Sequence, residues 1–231
     1  MQEKLTKGSQ TYLAALILTL TGGYLDAYTY YARGGVFANA QTGNIIKLGL
    51  RMAEGKISAC MNYLIPICAF ALGVTAVLVI ESVFRRFSIR YIRRMVIVAE
   101  IIAFAAAAFV PQTEETNIIA NTLVSFGCAM QMEAFRSFGG EVIATTVSTG
   151  NLRKGIEYLY KAFTRKKAED LSSALRCIVI VFVFIGGVFL GAVLTPHLSA
   201  LSILVPCALL AVLLVIITIR YRQILRAENT Q

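Results

Sequence analysis

The sequence predicts an all-α membrane protein, with six transmembrane helices arranged as two inverted three-helix repeats. Three observations predict it. Of 231 residues, 57% are hydrophobic and only 15% charged, with a mean hydropathy of +0.69; soluble domains run at about 45–50% and about 25%. The apolar residues come in long blocks, with no charge from Ile57 to Ile80 and none from Cys177 to Ile219. Finally, a shift of 107 residues lays one half of the chain on the other.

A span of the hydrocarbon core takes roughly 20 apolar residues, so the 43-residue block from Cys177 to Ile219 must hold two helices and a short turn. Six spans follow in order, at about 11–32, 57–81, 95–110, 117–138, 171–194 and 199–219. Lys4 and Lys7 before Tyr12–Leu20 give the start a signal-peptide look. Five more spans come after it, so the segment reads as the first span. Pro111 and Pro196 are expected at turns, where a missing N–H does no harm. Gly187 and Gly191 make a GxxxG step, a packing feature that lets helix backbones approach. The five cysteines sit mostly inside apolar blocks without CxxC spacing, so neither a disulfide framework nor a metal site is expected.

Orientation follows from the 22 Lys and Arg. Outside the spans, sixteen fall on the side holding both termini and the 82–94 and 139–170 segments, against four in 33–56 on the other side. Both termini should therefore face the cytoplasm. The formal charge of +9 is accounted for by topology and anionic lipid, with no nucleic acid required.

The 107-residue shift places Thr42-Gly43-Asn44 on Thr149-Gly150-Asn151 without a gap, and in the same register Asp26 falls on Glu133, Tyr28 on Phe135 and Lys47 on Lys154. The chain then reads as one transmembrane domain over 1–231. Repeat 1 covers about 9–110, repeat 2 about 116–219, and 220–231 form a cytoplasmic tail. An odd number of spans per half makes the second copy enter the membrane from the opposite face. Many secondary transporters are built this way.

The runs Gly23-Tyr24-Leu25-Asp26-Ala27, Gly34-Gly35-Val36-Phe37-Ala38-Asn39 and Thr42-Gly43-Asn44 resemble the YoaK-like family of bacterial integral membrane proteins, domain of unknown function 1275. The second half is similar in Ala129-Met130-Gln131, Phe135-Arg136, Thr145-Thr146 and Ser148-Thr149-Gly150-Asn151-Leu152-Arg153. The resemblance implies a multi-pass protein of the bacterial cytoplasmic membrane. It implies no substrate and no reaction.

Gly34 and Gly35 should break a helix, residues 36–41 should run extended, and Thr42 should N-cap a helix from Gly43 to about Met52. Thr149 should cap its counterpart, to about Phe163. Each TGN helix is then broken or re-entrant, its N-terminus a place for partial negative charge, or else a plain interfacial helix. For the latter reading, Lys47 and Arg51 share a face while Ile45, Ile46, Leu48 and Met52 supply apolar surface. Both arrangements remain open at this point.

Charges inside spans carry the rest. A lipid-facing carboxylate costs at least ~2.5–3.5 kcal/mol, so Asp26 should face the bundle. Glu133 and Arg136 are three apart and can pair, whereas Gln131 points elsewhere on the same helix. Glu100 is within reach of Arg93 or Arg94 as a structural pair. Tyr24, Tyr28 and Tyr31 share a face that can line a pocket.

No phosphate loop, HExxH or nucleophile–base spacing is present, so an enzyme is not expected, and no cofactor. The expected function is a small secondary transporter or permease for a small polar solute, with proton or cation coupling. Its substrate site would comprise Asp26, Gln131, Glu133, Arg136, the first TGN (Thr42, Gly43, Asn44) and the second (Thr149, Gly150, Asn151). The expected partners are the lipid bilayer and a second copy in a homodimer. A membrane scaffold or regulatory subunit, and a membrane-embedded enzyme on a lipid-linked substrate, are the alternative readings.

Overall fold

The computed structural model describes residues 2–84, 88–136, 148–165 and 168–228, and among them there is no strand. The helices are α1 (Gln2–Ala32), α2 (Gln41–Ala53), α3 (Ile57–Val83), α4 (Ile89–Ala108), α5 (Asn117–Ala134), α6 (Ser148–Arg165), α7 (Ala168–Leu198) and α8 (Leu204–Glu228). A 3₁₀ turn, Ser199–Ile203, joins the last two.

Two stretches are long and apolar enough on their own to cross a membrane, Ile57–Val83 and Ala168–Gln223. The second is interrupted where Ser199 takes a left-handed φ of 51°. The sequence points to a break at Pro196, but that residue lies inside α7. A proline in the last turn forfeits one hydrogen bond near an end that frays anyway, so the helix runs on to Leu198. Pro111 does lie in the connection between α4 and α5.

Small residues set the packing. A Cβ on Gly187 would collide with the carbonyl of Leu20, one on Gly23 with that of Phe184, and one on Gly191 would sit 2.7 Å from the Tyr24 carbonyl oxygen. The GxxxG step thus brings the backbones of α7 and α1 together, as its spacing predicts. Gly73 does the same between α3 and α5, where a Cβ would lie 2.5 Å from the Phe126 carbonyl oxygen. Around these two crossings α2 packs on α3, α6 on α7, α5 on α4, and α8 on α4 and α1. Tyr24 and Ser202 share a buried 2.6 Å hydrogen bond, and Thr195 meets the same Ser202 hydroxyl at 3.0 Å, fastening α1 and α7 to the 3₁₀ turn.

Large apolar side chains are exposed along the long helices, from Leu72 and Phe109 to Phe182, Phe189 and Val215. Several polar residues of α1, α4 and α5 turn inward instead: Asp26, Thr29, Glu100, Asn121, Ser125 and Gln131 are buried, as is Arg33 just after α1. A solvent-facing protein sorts its residues the other way.

Candidate binding site

α1 ends at Ala32, Gly34 and Gly35 beyond it are both left-handed with φ of 80° and 74°, and the chain continues as an irregular segment over 36–40. Val36, Ala38 and Asn39 are buried in that segment, so its backbone polar groups need partners. Side chains supply them. Phe37 N–H donates to Asn44 Oδ1 at 2.9 Å, while Asn44 Nδ2 donates to the Phe37 carbonyl at 2.7 Å. Ala38 N–H donates to Thr29 Oγ1, and the Ala38 carbonyl accepts from Ser125 and Gln41. The Asn39 and Ala40 N–H groups both donate to Asp26 Oδ1 at 3.0 Å, and Asn39 Nδ2 reaches Asp26 Oδ2 at 3.3 Å.

This arrangement revises the expected roles in the first TGN element. Thr42 is not the N-cap: α2 starts at Gln41 behind Ala40, with no side-chain cap, and Thr42 is exposed. Asp26 from α1 holds the Asn39 and Ala40 N–H groups just ahead of the helix, so the chain enters α2 at Gln41 and Thr42 falls inside its first turn. Gly43 is where the Phe37 ring lies against α2, since a Cβ there would fall 2.5 Å from the ring. Asn44, fully buried, carries the polar function of the element.

In the second element Thr149 is likewise exposed as the second residue of α6, Gly150 is half-buried, and Asn151 is buried. The counterpart of the irregular segment, 137–147, lies outside the described residues, and with it Ile143, Thr145 and Thr146.

α2 is amphipathic with its polar side turned inward. Gln41, Asn44, Lys47 and Arg51 face the protein, while Ile45, Ile46, Leu50 and Met52 are exposed. Lys47 Nζ donates to the Gly35 carbonyl and lies 4.9, 4.7 and 5.9 Å from the ring centres of Tyr30, Phe37 and Tyr63. Arg51 pairs with Glu54 at 2.7 Å, and hydrogen bonds from Lys56 and Arg51 hold the Glu54 carboxyl below its ordinary range. On α6, Leu152, Ile156, Tyr160 and Phe163 form a similar exposed apolar stripe.

The remaining predicted residues lie in a separate cluster. Glu133 contacts Arg136, and Arg136 also reaches Glu81 at 3.5 Å. Arg136 is largely exposed, and among the described residues no contact links this group to Asp26. Gln131 is buried, with its Oε1 unpartnered among the described residues.

The expected pair between Glu100 and Arg93 or Arg94 does not form. Arg93 donates to the Ala134 carbonyl at 3.0 Å, and Arg94 stacks on Tyr221 at 4.3 Å. Both Glu100 oxygens are fully buried beside Gly127 of α5, without a hydrogen-bond partner among the described residues. Tyr24 and Tyr28 are also buried, their hydroxyls bonded to Ser202 and Arg33. Of the three tyrosines sharing a face, Tyr31 lines a cavity together with Tyr30.

Sequence reasoning misses Arg33, which it counts among loop charges. Its guanidinium is fully buried against the end of α4, donating to the Ala107 and Val110 carbonyls at 2.8 Å and to Pro111 at 3.1 Å. Nε donates to the Tyr28 hydroxyl at 2.8 Å. A cation at the carbonyl end of a helix is where the helix dipole favours one. The only sequence signal is an Arg directly after the first span, ahead of two glycines.

Inward polar side chains, an apolar exterior and stretches long enough to cross a bilayer define an all-helical membrane protein. Residues 14–216 match the family described as "Protein of unknown function (DUF1275)", and the chain belongs to that family. It is 27% identical over 204 residues to the UPF0700 transmembrane protein YoaK of Bacillus subtilis (strain 168), covering 84% of this chain and 88% of that protein. No solved structure matches.

Proposed function

We propose that the protein is a small secondary transporter or permease of the bacterial cytoplasmic membrane, spanning it six times as two inverted repeats with both termini inside. The observation that carries this reading is the helix pairing. Under the 107-residue register α1 corresponds to α5, α2 to α6, α3 to α7 and α4 to α8. The pairings α1–α7, α2–α3 and α4–α5 then become α5–α3, α6–α7 and α8–α1, all of which occur, while α4–α8 maps onto itself. A two-fold relation between halves produces such an exchange, and in transporters of this design the halves rock about a site near their interface.

Two further observations support the reading. The spans that are less apolar hide their polar residues in the bundle, as lipid requires. The irregular segment 36–40 is buried at Val36, Ala38 and Asn39 and borders a cavity at Phe37 and Ala40, the conditions under which non-helical backbone is tolerated at membrane depth. The outward apolar stripes of α2 and α6 favour a lipid-embedded over a water-facing position for both helices.

A scaffold that docked a partner on the Gly187–Gly191 face is disfavoured, because α1 occupies that face. In the transporter Asp26 faces the solute or a coupling proton or cation, and a homodimer is the expected assembly. Flux of small solutes or protons into proteoliposomes tests the proposal. Flux that stays unchanged in Asp26→Asn, Glu133→Gln and Arg136→Ala alike removes the site assignment, and the absence of any flux from the purified protein removes the function.

A further inference from the structure

Between α1, α2 and α7 lies a cavity of about 420 Å³, within the roughly 300–1,000 Å³ of small-molecule sites. Its wall is aromatic and aliphatic: Tyr30, Tyr31 and Phe37 on one side, Phe184 and Val188 of α7 on another, with Asp26 as its one acidic group among the described residues. Tyr30 stacks on Phe37 at 5.2 Å and meets Tyr31 edge-on at 5.6 Å, so the three rings form a continuous surface. Among the described residues no Lys, Arg or His side chain lines the cavity. Lys47 and Arg51 line a neighbouring cavity of about 340 Å³ that shares Tyr30, and Lys47 Nζ already sits 4.9 and 4.7 Å from the Tyr30 and Phe37 ring centres, so Tyr31 and Phe184 supply the aromatic surface not shared with that cation.

Charge complementarity selects the occupant. Asp26 forms no ion pair among the described residues, and its Oδ2 accepts a single long bond from Asn39. A carboxylate offers about four acceptor positions, so room remains on Oδ2 for another donor. Aromatic faces attract cations and also bury apolar surface. An anion would meet Asp26 with no compensating cation, and a bare inorganic ion would leave the aromatic wall unused.

We propose that this cavity binds a small organic cation, a primary ammonium carried on an aromatic or branched apolar body, with the ammonium donating to Asp26 Oδ2 and the body against Tyr30, Tyr31, Phe37 and Phe184. It deepens the transporter reading by naming its substrate class, and rests on that reading only for the statement that the bound cation is carried. The binding site stands on its own geometry.

Equilibrium dialysis of radiolabelled phenethylammonium against the full chain in lipid nanodiscs tests it. Saturable binding is expected, competed by other arylalkylammonium ions but not by phenylacetate of similar shape. Asp26→Asn, which keeps an oxygen for the Asn39 and Ala40 N–H groups, should weaken binding at least tenfold. Phe184→Ala should weaken it several-fold without touching the carboxylate, and it decides the matter if the Asp26→Asn variant does not fold. Absence of saturable binding, equal competition by phenylacetate, or unchanged affinity in a folded variant overturns the proposal. Binding without uptake into proteoliposomes keeps the site and removes the transporter. Uptake of another solute without binding of the amine keeps the transporter and removes this site.

Discussion

Replacing Arg33 with methionine probes the join between α1 and the end of α4. The substitution keeps most of the apolar bulk and removes a guanidinium that donates to Tyr28, Ala107, Val110 and Pro111. The bonds to Tyr28 and the Ala107 carbonyl are buried, and an acceptor stranded there costs about 1–3 kcal/mol. Val110 and Pro111 are part-buried, where water can replace the lost donor and the cost falls below about 1 kcal/mol each. Against this, the variant no longer has to desolvate a charge, which offsets part of the loss. The net expectation is a destabilisation of about 2–4 kcal/mol. Lysine should recover only part of it, because a point charge cannot reproduce a planar fork. Reversible unfolding in mixed micelles, followed by far-ultraviolet circular dichroism because the chain has no tryptophan, measures the difference. A methionine variant within about 0.5 kcal/mol of the parent, with an unchanged denaturant slope, would refute the reasoning: the buried cation would then be tolerated rather than stabilising.

Gly187→Ala should cost about 1–3 kcal/mol or more, because its Cβ meets the Leu20 backbone. Gly186→Ala, one position away and facing open space, should be neutral or stabilising by up to about 1 kcal/mol; equal effects in the same unfolding assay would contradict the crossing. Asn44→Ala removes three hydrogen bonds to Phe37 and Gln41 and should cost about 2–3 kcal/mol, whereas exposed Thr42→Ala should stay within about 0.5 kcal/mol. The reverse order, read from denaturant midpoints, would restore Thr42 as the cap. Glu100→Leu removes two unpartnered buried oxygens at similar volume and should raise the unfolding midpoint, while a fall would reveal a partner for the carboxyl. Glu133→Gln breaks a contact to an exposed arginine and should change stability by less than about 1 kcal/mol, checked by a double-mutant cycle with Arg136→Ala.

What is legible in the sequence is what lipid imposes directly. Blocks of twenty apolar residues, an acid among them that must turn inward, and a glycine step at helical spacing each follow from one strong constraint, and α3, α7, Asp26 and Gly187 appear where those constraints put them. What fails are inferences from local chemistry whose partners lie far along the chain. The capping rule points to Thr42, but Asp26, thirteen and fourteen residues back, holds the Asn39 and Ala40 N–H groups, and the helix starts one residue before Thr42. Positive-inside counting treats Arg33 as a free loop charge; it does follow α1 directly, but it is buried against carbonyls more than seventy residues away. Closeness in sequence offers Glu100 the cations Arg93 and Arg94, yet both turn to other groups. Spacing along one helix does not specify which neighbour a long side chain selects.

The paired acids show how far a shared register can be read. Asp26 and Glu133 occupy corresponding positions, and yet Asp26 is buried where it holds two N–H groups of an irregular segment, while Glu133 is half-buried beside an arginine. Position 29, corresponding to Arg136, is a threonine that accepts from Ala38 instead of pairing with an acid. With threonine at position 29 and arginine at 136, the second-half carboxylate has an i,i+3 cation that the first-half one lacks. Corresponding positions therefore carry different electrostatics even where the helix pairing is preserved. An unpaired carboxylate bordering an aromatic cavity has unused capacity for a positively charged solute, and a carboxylate already engaged by Arg136 does not. The proposed cation site therefore belongs to the first half, while the second-half acid is an ion-pair partner. On this argument, Asp26→Asn should abolish a cation dependence of binding that Glu133→Gln leaves intact.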